Sequence, residues 1–356
     1  MNLNQLTLTG FKNYASASFQ FSTGINCIIG KNGVGKTNLL DAIYYLAFAK
    51  TAFNTTDSQN ICTGQAVLTS YGQFANDLII ACNYERRKGK TLKVNGEEEK
   101  KISNHVGRIP LVLTTPNDTD IIREGSEYRR KFFDGAIAQM DADYLKDLIA
   151  FNQLIKQRNE HLKQAQDPSQ INHTLLDTYD ETLLPISKRI GERRKVFLET
   201  YQPFFESSYA SLHQTEERPS IRFKSDVLSS DFVKRFKNNR GKDVIMQRTL
   251  MGSHRDQYDF LLNDAPIKKF GSQGQQKTFI IGLKLAEYDL LKNANGKKPL
   301  LLLDDIFDKL DDDRIAALVK LLSKKTRFGQ IFITDARKER SKVFFKKQKV
   351  NFIEIA

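Results

Sequence analysis

Cysteine is scarce in this chain of 356 residues: Cys27, Cys62 and Cys82 are all there is. The number is odd and no two are spaced as a pair, which argues against a disulfide framework or a zinc knuckle and predicts buried, reduced thiols. No apolar run approaches the roughly 18 residues that a membrane-spanning helix needs. The opening "MNLNQLTLTGFKNY" lacks the basic and apolar regions of a secretion signal, so a soluble cytoplasmic protein is the default expectation. Internal repeats and low-complexity tracts are absent. No helix-turn-helix or zinc-finger pattern offers sequence-specific base reading.

Acidic residues are also in deficit. Fifty-five Lys and Arg face 42 Asp and Glu, leaving a formal charge of +13. Such an excess suits a polyanionic partner such as nucleic acid, although a merely solvated basic surface gives the same total. With 40% apolar residues a normal core is affordable, and the length favours two lobes over one.

The first third reads as strands around one helix. Leu6 and Leu8, then Phe19 and Phe21, alternate with polar residues, and "GINCII" is a short buried-strand run. "ANDLIIACNYERRKGKTLKVNGEE" reads as a strand pair across a basic, glycine-containing turn. The middle is helical. Tyr144, Leu148, Phe151 and Ile155 mark one face, then Leu176, Leu183, Ile190, Phe197 and Phe204 recur every seven residues. The second of these helices should fold back on the first, and Pro185 and Pro203 predict kinks in it. From about Gln247 strands and helices alternate again, with "PLLLLDD" and "QIFITDA" as buried strands.

"GKNGVGKT" matches G-x-x-x-x-G-K-[ST] and lies between a predicted strand and a predicted helix. Glycines let the backbone curl so that successive N–H groups point at phosphate oxygens, and the helix start adds its positive dipole end. The expected ATP contacts are Gly30, Lys31, Asn32, Gly33, Val34, Gly35, Lys36 and Thr37, with Asn38 next in the helix. Lys36 would bridge the β- and γ-phosphates, and the Thr37 hydroxyl would ligate Mg²⁺. In "LLLLDDIFDKLD", Asp304 ends an apolar strand as a Walker B aspartate should. Asp304 would hold Mg²⁺, and Asp305 could orient the attacking water. Most of the chain separates these two halves of one site, so the helical middle is an insertion between them.

A split phosphate-loop ATPase with "GSQGQQK" ahead of "LLLLDDIFDKLD" resembles the ABC-type heads of the SMC superfamily. Within that superfamily it is similar, nearly end to end, to the RecF family of bacterial recombination mediators. The resemblance rests on "LTLTGFKNY", "GKNGVGKTNLLDAIYYLAFAKTAF", "EGSEYRRKFFDGAI", "MGSHRDQYDF" and "FGSQGQQKTFIIGLKLAE". It implies an α/β ABC-type head with mixed sheets, formed by 1–115 and 245–356, and a mainly helical lobe at 116–244 carrying a short antiparallel arm. It implies that Ser272, Gln273, Gly274 and Gln275 form a signature loop completing the ATP site of a second copy. Lys12 and Asn13 resemble N-terminal residues that approach the phosphates, and Leu310 and Asp311 occupy the D-loop position.

The implied function is an ATP-dependent homodimer on double-stranded DNA or its junction with a single-stranded gap. It would act with RecR and RecO in loading RecA, its weak DNA-stimulated ATPase serving as a release switch. Another SMC-like ATPase of DNA metabolism is the alternative. A transporter subunit or a phosphate-loop kinase fits the basic charge, the long insertion and the signature loop less well. Asp305 stands where ABC transporters carry glutamate, and Thr334 and Asp335 stand where they carry a switch histidine, so turnover should be slow. Candidate DNA-phosphate contacts are Arg86, Arg87, Lys88 and Lys90; Lys188, Arg189, Arg193, Arg194 and Lys195; and Lys234, Arg235 and Lys237. No role for His254 and Arg255 of "GSHRD" follows from their pattern.

Overall fold

In a computed structural model the described residues are 1–54, 56–164, 171–212, 216–307, 312–346 and 348–355. The chain opens with β1 (Leu3–Phe11), β2 (Tyr14–Gln20), β3 (Ile25–Ile29) and α1 (Lys36–Phe48). It continues through β4 (Val67–Phe74), β5 (Ile79–Glu85), β6 (Gly89–Val94), β7 (Glu97–Glu98) and β8 (Leu111–Thr114). Next come α2 (Asp120–Arg123), α3 (Ser126–Ala138), α4 (Ala142–Gln164) and α5 (His173–Leu212). Then follow β9 (Pro219–Lys224), α6 (Phe232–Asn238), α7 (Arg240–Ile245), β10 (Gln257–Leu262), β11 (Ala265–Pro266) and α8 (Ile267–Phe270). The last elements are α9 (Gln273–Asn295), β12 (Leu300–Leu303), α10 (Asp312–Leu322), β13 (Ile331–Asp335), α11 (Lys338–Phe344) and β14 (Val350–Glu354).

Two compact units result. The first holds 1–119, 204–216 and 272–356; the second holds 120–203 and 217–271. Besides a four-residue shift at 116–119, these bounds differ from the sequence expectation at two places, each for a packing reason. Residues 245–271 fall in the second unit because β10 pairs with β9 and β11 in a three-stranded antiparallel sheet. Residues 204–216 fall in the first because Phe205 stacks edge-on against Phe279 of α9, and Gly282 lies against Tyr209.

The first unit contains a six-stranded antiparallel sheet, β2-β1-β4-β5-β6-β7, and a five-stranded parallel sheet, β14-β3-β13-β12-β8. The five-residue strands β3 and β13, and four-residue β12, are buried throughout, as parallel strands covered on both faces must be. Leu39, Leu40, Ile43 and Leu46 of α1 share one core with Leu6 and Leu8 of β1, and with Leu302 and Phe332. All three cysteines are free; Cys27 and Cys82 are buried, and Cys62 is half-buried.

Glu287 sits in the packed face of α9, where one carboxylate oxygen, Oε2, lacks a hydrogen-bond partner. Burial pushes its carboxyl up to about 7, with Lys284 pulling it down and Asp118 pushing it up. The folded chain therefore binds more protons than the unfolded chain between the usual 4.5 and about 7, so stability falls as pH rises through that window. Glu287→Gln removes this slope. Urea midpoints at pH 4 and pH 8 should show the variant gaining on the parent by up to about 3 kcal/mol over that interval. A difference that does not change with pH would refute the assignment.

In the second unit, α4 and α5 run antiparallel. Asp147 near the start of α4 pairs with Arg189 and Arg193, while Arg158 near its end pairs with Asp180 early in α5. Leu176, Leu183, Ile190 and Phe197 are buried as the seven-residue spacing predicts. Beyond Pro203 the stripe moves by one residue: Phe205 is buried and Phe204 only half so. The helix is continuous over 40 residues, with Pro185 and Pro203 inside it. Phe133 of α3 stacks on Tyr258 and meets Phe197 and Tyr201 edge-on.

Candidate nucleotide site

β3 delivers the chain to Gly30, and α1 begins at Lys36, so the glycine-rich loop bridges the end of a buried strand and a helix N-terminus. Gly33 and Gly35 have φ of 87° and 114°, a backbone region that side chains avoid. Space matters as well. A Cβ on Gly35 would lie 2.3 Å from Asn13 Nδ2, and one on Gly30 would lie 2.5 Å from the Ile355 carbonyl oxygen. The first turn of α1 carries no acidic residue, which leaves its positive end for an anion.

Lys36 lies inside the loop, where its ammonium donates to the Gly30 and Lys31 carbonyls at 2.9 and 3.0 Å. Lys31 and Asn32 are exposed at the loop's crest. The Thr37 hydroxyl donates to both carboxylate oxygens of Asp304, at 3.0 and 2.9 Å. Two motifs that the sequence separates by 267 positions are thereby in direct contact. Thr334, one strand over, donates to Asp304 Oδ1 at 2.7 Å and accepts the Asp305 N–H at 2.9 Å. Burial raises the Asp304 carboxyl above its usual value, while the hydroxyls of Thr334 and Thr37 lower it and Asp305 raises it. Asp305 itself has φ 44°, turning the chain sharply after the strand.

Among the described residues no group of three or more His, Cys, Asp or Glu side chains could hold a metal alone. A hydroxyl and a carboxylate in contact fit a divalent cation whose other ligands are phosphate oxygens and water.

The residues from "GFKNY" divide. Asn13 Nδ2 donates to the Val34 carbonyl at 2.8 Å, and Asn38 Nδ2 donates to Asn13 Oδ1 at 2.8 Å, so Asn13 splints the loop to its helix. Tyr14 adds a hydroxyl bond to the Gly35 carbonyl at 3.0 Å. Burial pushes that phenol far above its usual value, which keeps it a donor. Tyr14 was not foreseen; its adjacency to Asn13 was the only signal. Lys12 forms an ion pair with buried Asp41 of α1 and lies over the Phe53 ring, so here its charge is directed at Asp41.

Ser272 caps α9. Its hydroxyl accepts from the Gln275 N–H at 3.2 Å, and Gln275 Oε1 accepts from the Ser272 N–H at 2.7 Å, a reciprocal capping box. Gln273 opens the helix. A Cβ on Gly274 would lie 2.3 Å from Arg314 Nη1, so within this chain the glycine accommodates an arginine of α10. Leu310 and Asp311 lie outside the described residues.

The basic clusters fare unevenly. Arg86, Arg87 and Lys88 are exposed at the β5–β6 turn, although Lys88 also pairs with Glu85. Lys90 is engaged by Asp57 and the Tyr45 ring. Lys188 is exposed and only loosely paired with Glu192 at 3.9 Å, whereas Arg189 and Arg193 are committed to Asp147. Arg194 corrects the sequence reading: 2% exposed, it is buried between Asp134 and Asp256 and cannot present its charge to DNA. His254 is half-buried. It bonds to the Thr249 carbonyl at 3.0 Å, and burial lowers it to about 4, so it stays neutral.

A family model described as the RecF/RecN/SMC N-terminal domain matches residues 2–354. The chain is 46% identical over 355 residues to the DNA replication and repair protein RecF of Cytophaga hutchinsonii, covering 99% of this chain and 94% of that one. It belongs to the RecF family. The RecF of Flavobacterium johnsoniae is 43% identical, with 97% of each chain covered. A solved structure of the recombination mediator protein RecF-ATPrS in the RecFOR pathway superposes with a TM-score of 0.86 at 28% identity, covering 94% and 92%. An SMC head bound to the C-terminal winged-helix domain of ScpA, 15% identical with a TM-score of 0.55, shares the fold. The ABC-type α/β head is thus the family's architecture. No described helix is long and apolar enough to cross a membrane.

Proposed function

We propose that this RecF-family chain is an ATP-dependent recombination mediator whose first unit binds and slowly hydrolyses ATP. The contact between Thr37 and Asp304, which joins the phosphate loop to the Walker B strand, carries the reading. Gly30 to Thr37 cradle the phosphates. Lys36 exchanges its two loop carbonyls for phosphate oxygens, and Asn13, Tyr14 and Asn38 keep the loop in shape. Mg²⁺, held by Thr37 and Asp304, would offset charge on the β- and γ-phosphates. Asp305 orients the attacking water; its short side chain is consistent with slow turnover.

Ser272 to Gln275 act on the nucleotide of a second copy, so ATP joins two chains and hydrolysis releases them. The exposed lysines and arginines contact the phosphates of double-stranded DNA or a gap junction without reading bases. Two relatives' structures are described as belonging to the RecFOR pathway, which supports RecO and RecR as partners and RecA loading as the outcome. Sedimentation velocity tests the core of this reading. Parent chain with ATP should double in mass, Lys36→Met should not, and gapped duplex should raise ATPase several-fold only in the parent. A monomer at saturating ATP would refute the clamp.

A further inference from the structure

The parallel sheet has two ends, and the nucleotide loop uses only one. β3, β12, β13 and β14 run parallel, with Gly30 and Asp304 just past the carboxyl ends of β3 and β12. At the opposite end, where β3, β13 and β14 begin, a cleft of about 1100 Å³ opens inside the first unit. Among the described residues four lysines line it, Lys297, Lys298, Lys325 and Lys349, and no carboxylate does. Lys298 is held by the carbonyls of Lys325 and Phe328, at 2.6 and 3.2 Å. Lys297, Lys325 and Lys349 are exposed, and none has an acidic partner among the described residues.

The floor differs from the rim. Phe21, Phe328 and Val350 supply apolar surface between the lysines. β14 is also an edge strand, hydrogen-bonded among the described strands only to β3, and its first residues border the cleft. A phosphodiester backbone would use the lysines and leave the apolar floor idle. At about 1100 Å³ the cleft lies at the upper end of small-molecule sites. An extended acidic segment with one or two apolar side chains would use rim, floor and strand edge together.

We propose that this cleft, remote from the nucleotide loop, binds an extended acidic–apolar peptide segment of a partner protein. Charge complementarity sets the choice, and salt should weaken it. The proposal does not depend on the ATP clamp.

The test uses the full chain and the triple variant Lys297→Glu, Lys325→Glu, Lys349→Glu. A displayed library of random 12-residue peptides is selected against each, and the winners are measured by fluorescence anisotropy. Selection on the parent should enrich Asp and Glu alternating with Phe, Leu or Ile. The triple variant should bind those peptides at least tenfold more weakly while keeping its ATPase and circular dichroism. No acidic enrichment, or enrichment that survives charge reversal, would overturn the proposal. So would a single-stranded oligonucleotide that loses tenfold in the variant and displaces every selected peptide, because the cleft would then be a phosphate site.

Discussion

Lys36→Met and Ser272→Arg chains, each without ATPase activity alone, should recover DNA-stimulated hydrolysis when mixed. In the proposed dimer each ATP lies between one chain's phosphate loop and the other's signature loop. Lys36→Met removes the ammonium that now bonds to Gly30 and Lys31, leaving that loop without a phosphate clamp. Ser272→Arg abolishes the capping box of α9 and puts bulk where the partner's nucleotide would sit. The lost cap costs the helix about 1 kcal/mol, too little to unfold a chain of this size. A mixed dimer has one site with both lesions and one with neither, so activity should return towards a quarter of the parent's when chains pair at random. Heterodimers detected by mass spectrometry without hydrolysis would refute the shared site.

Arg194→Ala should destabilise the second unit by about 3–5 kcal/mol, the usual cost of removing one partner from a buried ion pair. The guanidinium donates through Nε and Nη2 to the two Asp134 oxygens at 3.0 and 2.9 Å. It also reaches Asp256 and the Ser253 carbonyl at 2.7 and 2.6 Å. Alanine would leave two carboxylates facing each other inside a packed interior. Asp256 is already raised by burial and would be protonated more readily still. Lys188→Ala, two turns away and open to solvent, should change stability by less than about 0.5 kcal/mol. Urea denaturation of the three chains separates these outcomes. Loss of DNA binding in Lys188→Ala with the fold intact would mark a phosphate contact, whereas in Arg194→Ala it would follow unfolding. A stability loss under about 1 kcal/mol for Arg194→Ala would contradict the geometry.

Motif chemistry was legible wherever the chemistry is local. A phosphate loop is a strand end, a glycine turn and a helix start within eight residues, and all of its elements are neighbours in the chain. The capping box of Ser272 and Gln275 is local too, spanning four residues, although only the structure revealed it. Heptad spacing likewise placed Leu176, Leu183 and Ile190 inside, because a helix repeats its own geometry.

Tertiary structure alone decided the rest. The sequence places five basic residues at Lys188, Arg189, Arg193, Arg194 and Lys195, but it does not say which carboxylates the fold brings opposite them. Asp134, Asp147 and Asp256 come from three distant segments, and they internalise Arg194 while leaving Lys188 outside. The same holds for Thr334, which becomes a brace for Asp304 only because β13 lies beside β12. It holds also for the lysine cleft, assembled from strand and helix ends far apart in the chain. Local geometry is written in adjacent residues; the sign and exposure of a surface depend on partners that only long-range packing supplies.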